Sequence, residues 1–182
     1  NSPNPLNDLT PQICEEDAFN VDLTVYEPML TSESGTFVYS KIDARTPTEL
    51  FFSEYVEGSA SNKYLEIYNG TGAMVDLSDY QISQFSNGSP TASNSQTLTG
   101  MLADGGVLVL ANGAATIYGG PVVISTSVNF TGDDALLLVN IATGDTVDVF
   151  GSIGEDPGTQ WIVNGNNAAN KTLRRLATVK AG

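Results

Sequence analysis

The 182-residue sequence contains no histidine. Ser-His-Asp and Cys-His nucleophilic sites, histidine acid–base work and the common catalytic zinc sites all need an imidazole, so any catalysis by this chain is narrowed to carboxylate chemistry. Cysteine is nearly absent too. The single Cys14 has no partner for an internal disulfide, and Glu15, Glu16 and Asp17 beside it disfavour a thiolate, so it reads as inert. Cations are scarce: 7 Lys and Arg stand against 21 Asp and Glu, for a net charge of −14 and a pI near 4.1. Such a field repels polyanions, and no direct nucleic-acid binding is expected. No stretch approaches the roughly 20 consecutive apolar residues of a membrane-spanning helix, and no signal-peptide pattern is present. The first residue is Asn1 and not Met, which reads as a mature or excised piece for which secretion is permitted.

What remains is a globular composition, 41% hydrophobic and 15% charged, rich in Ser, Thr, Asn and Gly. That profile favours strands and turns over helices. Charge is uneven along the chain: residues 1–57 hold eleven acids against Lys41 and Arg45, whereas the stretch after Asp156 holds no acid and four bases, Lys171, Arg174, Arg175 and Lys180. The basic tail is the one segment suited to an anion.

The chain divides by pattern into a linker and extension over 1–47 and a denser domain over 48–182. Residues 1–11 carry three prolines without periodicity, as a linker would. Two short alternating runs follow, Asn20–Tyr26 and Thr36–Lys41. From Glu49 onward the expected strands are Leu50–Val56, Tyr64–Tyr68, Tyr80–Phe85, Val107–Ala111, Val122–Val128, Ala135–Val139, Thr146–Phe150 and Leu173–Ala177. Turn signals lie between them: Asn-Gly at Asn69, Asn87, Asn112 and Asn164, Asp104-Gly105, and Gly132-Asp133-Asp134. Many short strands at regular spacing, with one Trp161 of buried type, predict an all-β antiparallel sandwich.

Several segments also resemble a known family. Leu50-Phe51-Phe52-Ser53-Glu54-Tyr55-Val56-Glu57-Gly58-Ser59, Lys63-Tyr64-Leu65-Glu66-Ile67-Tyr68-Asn69 and Val75-Asp76-Leu77-Ser78-Asp79-Tyr80 are similar to the opening strands of the lamin-tail domain of secreted bacterial proteins. Leu102-Ala103-Asp104-Gly105, Asn129–Ala135, Asp148–Gly154, Asp156-Pro157-Gly158 to Trp161, and Thr172–Arg175 continue the likeness in order, over about residues 48–180. The resemblance implies an immunoglobulin-like β-sandwich with no catalytic residues, of the kind attached to extracellular nucleases and phosphatases or to cell-surface proteins. The run Cys14–Thr24 resembles a segment of adhesin-like surface proteins of gliding bacteria.

Each candidate site has a plainer structural reading beside it. Asp133 and Asp134, with Asp104 or Asp148, are calcium candidates, because calcium takes six to eight oxygen ligands. The spacing is not that of an EF-hand, and carboxylates in a Gly-Asp-Asp turn more often cap their own backbone. Glu54 and Glu66 form a possible acid pair for glycoside hydrolysis, which needs about 5 to 9 Å between carboxyls; pairing with Lys63 or an arginine is the structural alternative. On a strand, Arg174 and Arg175 face opposite ways and cannot form one anion clamp, so pairing with the acidic body is favoured. Trp161, Phe51, Phe52, Tyr55, Tyr64, Tyr68, Tyr80 and Phe85 could offer an aromatic glycan platform, with about half turned inward as core. Asn69, Asn87, Asn129 and Asn170 fit the N-glycosylation pattern, which is disregarded for a bacterial protein.

Together these readings predict a non-catalytic, extracellular or cell-surface module that attaches, spaces or targets a larger protein. Its expected partners are other domains of the parent or an extracellular protein or glycan, with no cofactor apart from the calcium option and no membrane span. The alternatives are an accessory substrate-binding module of an extracellular nuclease or phosphatase, and a carbohydrate-binding module.

Overall fold

In the run Leu65-Glu66-Ile67-Tyr68 the fully buried Leu65 and Ile67 alternate with the half-buried Glu66 and Tyr68, because successive side chains of a strand point to opposite faces. A computed structural model describes residues 47–163, 165–176, 179 and 182. The extension over 1–46, with its two expected strands and Cys14, lies outside the described residues, as do Asn164 and Lys180. The strands are β1 (Phe51–Glu57), β2 (Lys63–Tyr68), β3 (Val75–Asp76), β4 (Tyr80–Phe85), β5 (Asn94–Thr97), β6 (Met101–Leu102), β7 (Val107–Ala111), β8 (Val123–Ile124), β9 (Ala135–Asn140), β10 (Asp145–Phe150), β11 (Ile162–Val163), β12 (Asn166–Asn167) and β13 (Thr172–Arg174). Among the described residues the sole helical element is a 3-10 turn, Leu77–Asp79, capped by the Asp76 carboxylate accepting from the Ser78 N–H.

Two sheets make a sandwich. One has the order β13-β1-β2-β7-β8 and the other β10-β9-β4-β5, with small ribbons β3-β6 and β11-β12 beside them. Pairing is antiparallel except at the β7–β8 edge, where Leu110↔Val123 and Ala111↔Ile124 run parallel. Phe52, Tyr55, Leu65, Ile67 and Leu110 of the first sheet meet Tyr80, Ile82, Leu136 and Leu138 of the second. Loop residues Leu50, Leu77, Leu98, Val128 and Phe130 close the ends. Tyr55 is sandwiched between Phe130 and Phe150, with ring centroids 4.6 and 4.2 Å away. Trp161 packs against this core and lies so close to Gly151 (φ +80°) that a Cβ there would sit 2.7 Å from Nε1.

The two sheets are joined by a polar clasp as well. A bulge in β1 shifts the register between Phe52 and Glu54, and the Phe52 N–H donates to Asp148 Oδ2 on β10 at 2.7 Å. Arg175 completes the loop: its Nε donates to the Phe52 carbonyl at 2.7 Å, its Nη2 pairs with Asp148 Oδ1 at 2.5 Å, and its backbone N–H donates to Ser53 O. Asp148 has no exposed side-chain surface. Burial pushes its carboxyl above the usual carboxylate range, against the opposing pull of the Phe52 amide and Arg175. A second buried pair, Lys63–Glu57 at 3.1 Å, ties the β1–β2 hairpin to the approach of β13, where the Asn170 N–H donates to Glu57 Oε2.

The expected strands differ from the observed ones in three places. Val122–Val128 is a strand only over Val123–Ile124, because after a last bond from the Ser125 N–H to Ala111 O a turn from Val128 N to Ser125 O ends the pairing; Val128 is buried by packing and not by a ladder. Where Leu173–Ala177 is expected, the strand is Thr172–Arg174, with Arg175 and Leu176 past its end and Ala177 outside the described residues. Strands β3, β5, β6, β11 and β12 had no counterpart in the pattern, being two to four residues long or wholly polar. Of the Asn-Gly signals, Asn87-Gly88 forms a left-handed turn (φ +51° and +71°), closed by the Ser89 N–H on Ser86 O. Asn69 and Asn112 instead fold their side chains back to accept from Thr71 N and Ala114 N.

Removing the Asp148 carboxylate leaves the buried Phe52 amide without its acceptor and takes a carboxylate contact away from Arg175. Asp148→Ala is expected to cost about 3 kcal/mol, the low end for a broken buried pair, because the Arg175 side chain keeps 28% exposure. Asp148→Asn, which keeps one acceptor, costs less. Urea unfolding checks this, and equal losses from both variants would count against the clasp. The phenols of Tyr55 and Tyr80 are pushed well above the usual tyrosine value, in both cases chiefly by burial and for Tyr80 also by its hydrogen bond to Glu49. Unfolded tyrosines ionise near pH ~10, so the stability these groups give is intact below that pH and is lost as pH rises past it. Tyr80→Phe should shift the alkaline unfolding midpoint upward, read by phenolate absorbance together with circular dichroism.

Candidate functional site

The outward face of the five-stranded sheet carries a groove of about 410 Å³, within the range of roughly 300–1,000 Å³ typical of ligand sites. Cross-strand register builds it. Glu54 lies opposite both Glu66 and Arg174, Val56 opposite Tyr64 and Thr172, and Glu66 opposite Val109. The β1 bulge matters here too, since it places Ser53 beside Glu54 on the side facing Glu66. The Ser53 hydroxyl donates to Glu66 Oε1 at 2.7 Å, and Arg174 Nε pairs with Glu54 Oε2 at 2.8 Å. Arg174 is 74% exposed in its side chain, so this pair is open to water.

The remaining wall comes from the loop between β7 and β8. Tyr64 is buried, and its hydroxyl accepts from both the Ile117 and Tyr118 backbone N–H groups, at 2.9 and 3.0 Å. Asn62 Oδ1 accepts from Thr116 N and Ile117 N. These bonds hold Tyr118 edge-on to Tyr64, centroids 6.0 Å apart, with Tyr118 itself 48% and Ile117 70% exposed. The loop thus presents two large apolar side chains to solvent from a fixed backbone, which two scattered surface residues would not do.

Glu54 and Glu66 are brought together by register, but each is committed, one to a guanidinium and the other to a hydroxyl. Arg174 and Arg175 diverge, the first to Glu54 on the outer face and the second to Asp148 between the sheets. Of the aromatic set, Phe52, Tyr55 and Tyr80 enter the core, Phe85 is buried, and Phe51 packs on Tyr68 with centroids 5.5 Å apart. Trp161 donates from Nε1 to Asp134 O. The calcium candidates are dispersed or occupied. Asp134 is buried and accepts from Gln84 Nε2, Asn87 N and Thr131 N, Asp133 accepts from the Thr131 hydroxyl, and Asp104 accepts from Gly72 N. Among the described residues no three acidic, cysteine or histidine side chains converge as a metal site. Asn69 is wholly buried, its Nδ2 donating to Ala73 O and Leu102 O. Sequence reasoning missed Tyr118 and Ile117. Their signal was an apolar pair, Ile117-Tyr118, set in a Gly-Pro-rich loop where neither is needed for a strand.

The family model described as Lamin Tail Domain matches residues 43–154, more than half of the chain, whereas no curated protein sequence matches it. The family fold is immunoglobulin-like, in keeping with the two facing sheets. The chain is a member of the lamin tail domain family.

Proposed function

We propose that this domain is a non-catalytic module of a secreted or cell-surface protein, and that it attaches, spaces or targets that protein through the outer face of its five-stranded sheet. The observation that carries this reading is the groove itself: a rigidly backed face on which Ile117 and Tyr118 stand exposed beside Val56 and Val109, while both neighbouring glutamates are held in polar contacts. An exposed apolar patch rimmed by polar groups is the usual mark of an interaction surface. The absence of histidine from the sequence supports the non-catalytic half. Membership of a family with an immunoglobulin-like fold supports the modular half.

Two tests follow. The purified chain should turn over neither supercoiled DNA nor p-nitrophenyl phosphate with Mg²⁺ or Ca²⁺ present; turnover that survives repurification and falls in Glu54→Gln or Glu66→Gln would overturn the reading. A photo-crosslinking phenylalanine analogue placed at Tyr118 of the parent protein, on intact cells, should capture an extracellular component or a neighbouring domain. The same analogue at Val139, on the opposite sheet, should not. Equal capture from both positions, or none from Tyr118, would reject this face as the contact surface.

A further inference from the structure

Resting on the docking role just proposed, the geometry points to the chemistry of the occupant: the groove takes a guanidinium or ammonium side chain from an extended, basic segment of a partner protein, with Glu66 as its acceptor. Three observations converge. First, Glu54 and Glu66 lie directly opposite each other on adjacent strands, a placement in which like charges oppose each other and cost stability unless a cation intervenes. Second, the fold already seats one cation there. Arg174 on the edge strand β13 lies across Glu54 at 2.8 Å, and among the described residues the Glu66 carboxylate has the Ser53 hydroxyl alone, on one oxygen. The chain's own arginine therefore shows which group this surface holds, and Glu66 is the half of the pair left without a charge partner among the described residues. Third, the groove that Glu66 lines is also lined by two tyrosines in edge-on contact, Tyr64 buried and Tyr118 exposed. Aromatic faces favour the stem and charge of arginine or lysine.

The whole-chain charge adds to this. At −14 the chain steers cationic segments toward itself and repels acidic ones, including a second copy of its own kind. A groove open along the sheet, walled by valines and tyrosines alternating with carboxylates, suits an extended strand whose basic residues alternate with apolar ones.

The test uses the full 182-residue chain and a fluorescent octapeptide alternating arginine and valine, with two control peptides in which arginine is replaced by neutral citrulline or by glutamate. Binding by anisotropy is expected for the arginine peptide only, weakening with added salt. Glu66→Gln keeps the Ser53 contact and should weaken binding about tenfold, the value of one charge-assisted hydrogen bond, while leaving the thermal midpoint unchanged or higher. Arg174→Gln should do the opposite and tighten binding, since it removes a competing cation and frees Glu54. A merely structural Glu66 would not give this pair of opposite effects. Equal binding of the citrulline peptide, indifference to Glu66→Gln, or no binding up to millimolar peptide would overturn the assignment. If the peptide assay fails while crosslinking from Tyr118 persists, the face is a contact surface for some other chemistry; if both fail, the docking role falls with it.

Discussion

The clasp of Asp148, Phe52 and Arg175 is the constraint on which the rest of the sandwich rests. Apolar burial holds two sheets together without direction, and it would tolerate small slides between them. A buried carboxylate on one sheet, held by partners on the other, does not. Its acceptor needs are met by one amide of β1 and one guanidinium just past β13, and the same guanidinium stem returns to the Phe52 carbonyl. Because the bulge that frees the Phe52 amide for Asp148 is also the irregularity that turns Ser53 and Glu54 toward Glu66, the interior bond and the exterior groove share one local distortion of β1. Bulges commonly re-aim side chains in this way next to functional surfaces.

The two faces of the first sheet consequently do different work. Inward, Phe52, Tyr55, Leu65 and Ile67 are fully or nearly fully buried and build the core. Outward, the same strands carry acids, valines and tyrosines whose arrangement is fixed by pairing and by the Tyr64 hydroxyl. The second sheet ends on a different kind of edge: β5 is the wholly polar run Asn94-Ser95-Gln96-Thr97, where Ser83 and Ser95 join hydroxyls at 2.7 Å.

Much of this was legible in the sequence. Strands β1, β2, β4, β7, β9 and β10 announce themselves as short runs rich in apolar and aromatic residues between turn signals, mixed with polar residues in some and continuous in β7 and β9, and the lamin-tail likeness followed in part from those same runs. Strand β5 was not legible, since a polar edge strand with Asn, Ser, Gln and Thr looks like the loop that surrounds it. The Val122–Val128 run misled in the opposite direction: Val122, Val123 and Ile124 are exposed, Val128 is buried outside any ladder, and backbone pairing ends with the Ser125 N–H on Ala111 O. The arginine pair was readable from alternation alone, which sends neighbours to opposite faces. The groove was not, because it depends on the register of four strands and on a tyrosine hydroxyl catching a loop more than fifty residues away in sequence. Periodicity shows which face a residue takes but not which residue lies across from it.

The burial of Asn69 has a consequence for how the protein can be made. Its Nδ2 spends both hydrogens on Ala73 and Leu102 carbonyls, inside a pocket closed to solvent, yet Asn69-Gly70-Thr71 is also a glycosylation acceptor sequence. A sugar on that nitrogen removes one of the two hydrogens and has no room beside the other. In a eukaryotic secretory pathway, oligosaccharide transfer and closure of this loop therefore compete for one atom, and chains that receive the sugar first are barred from the native loop. Production in a host that does not glycosylate removes the competition.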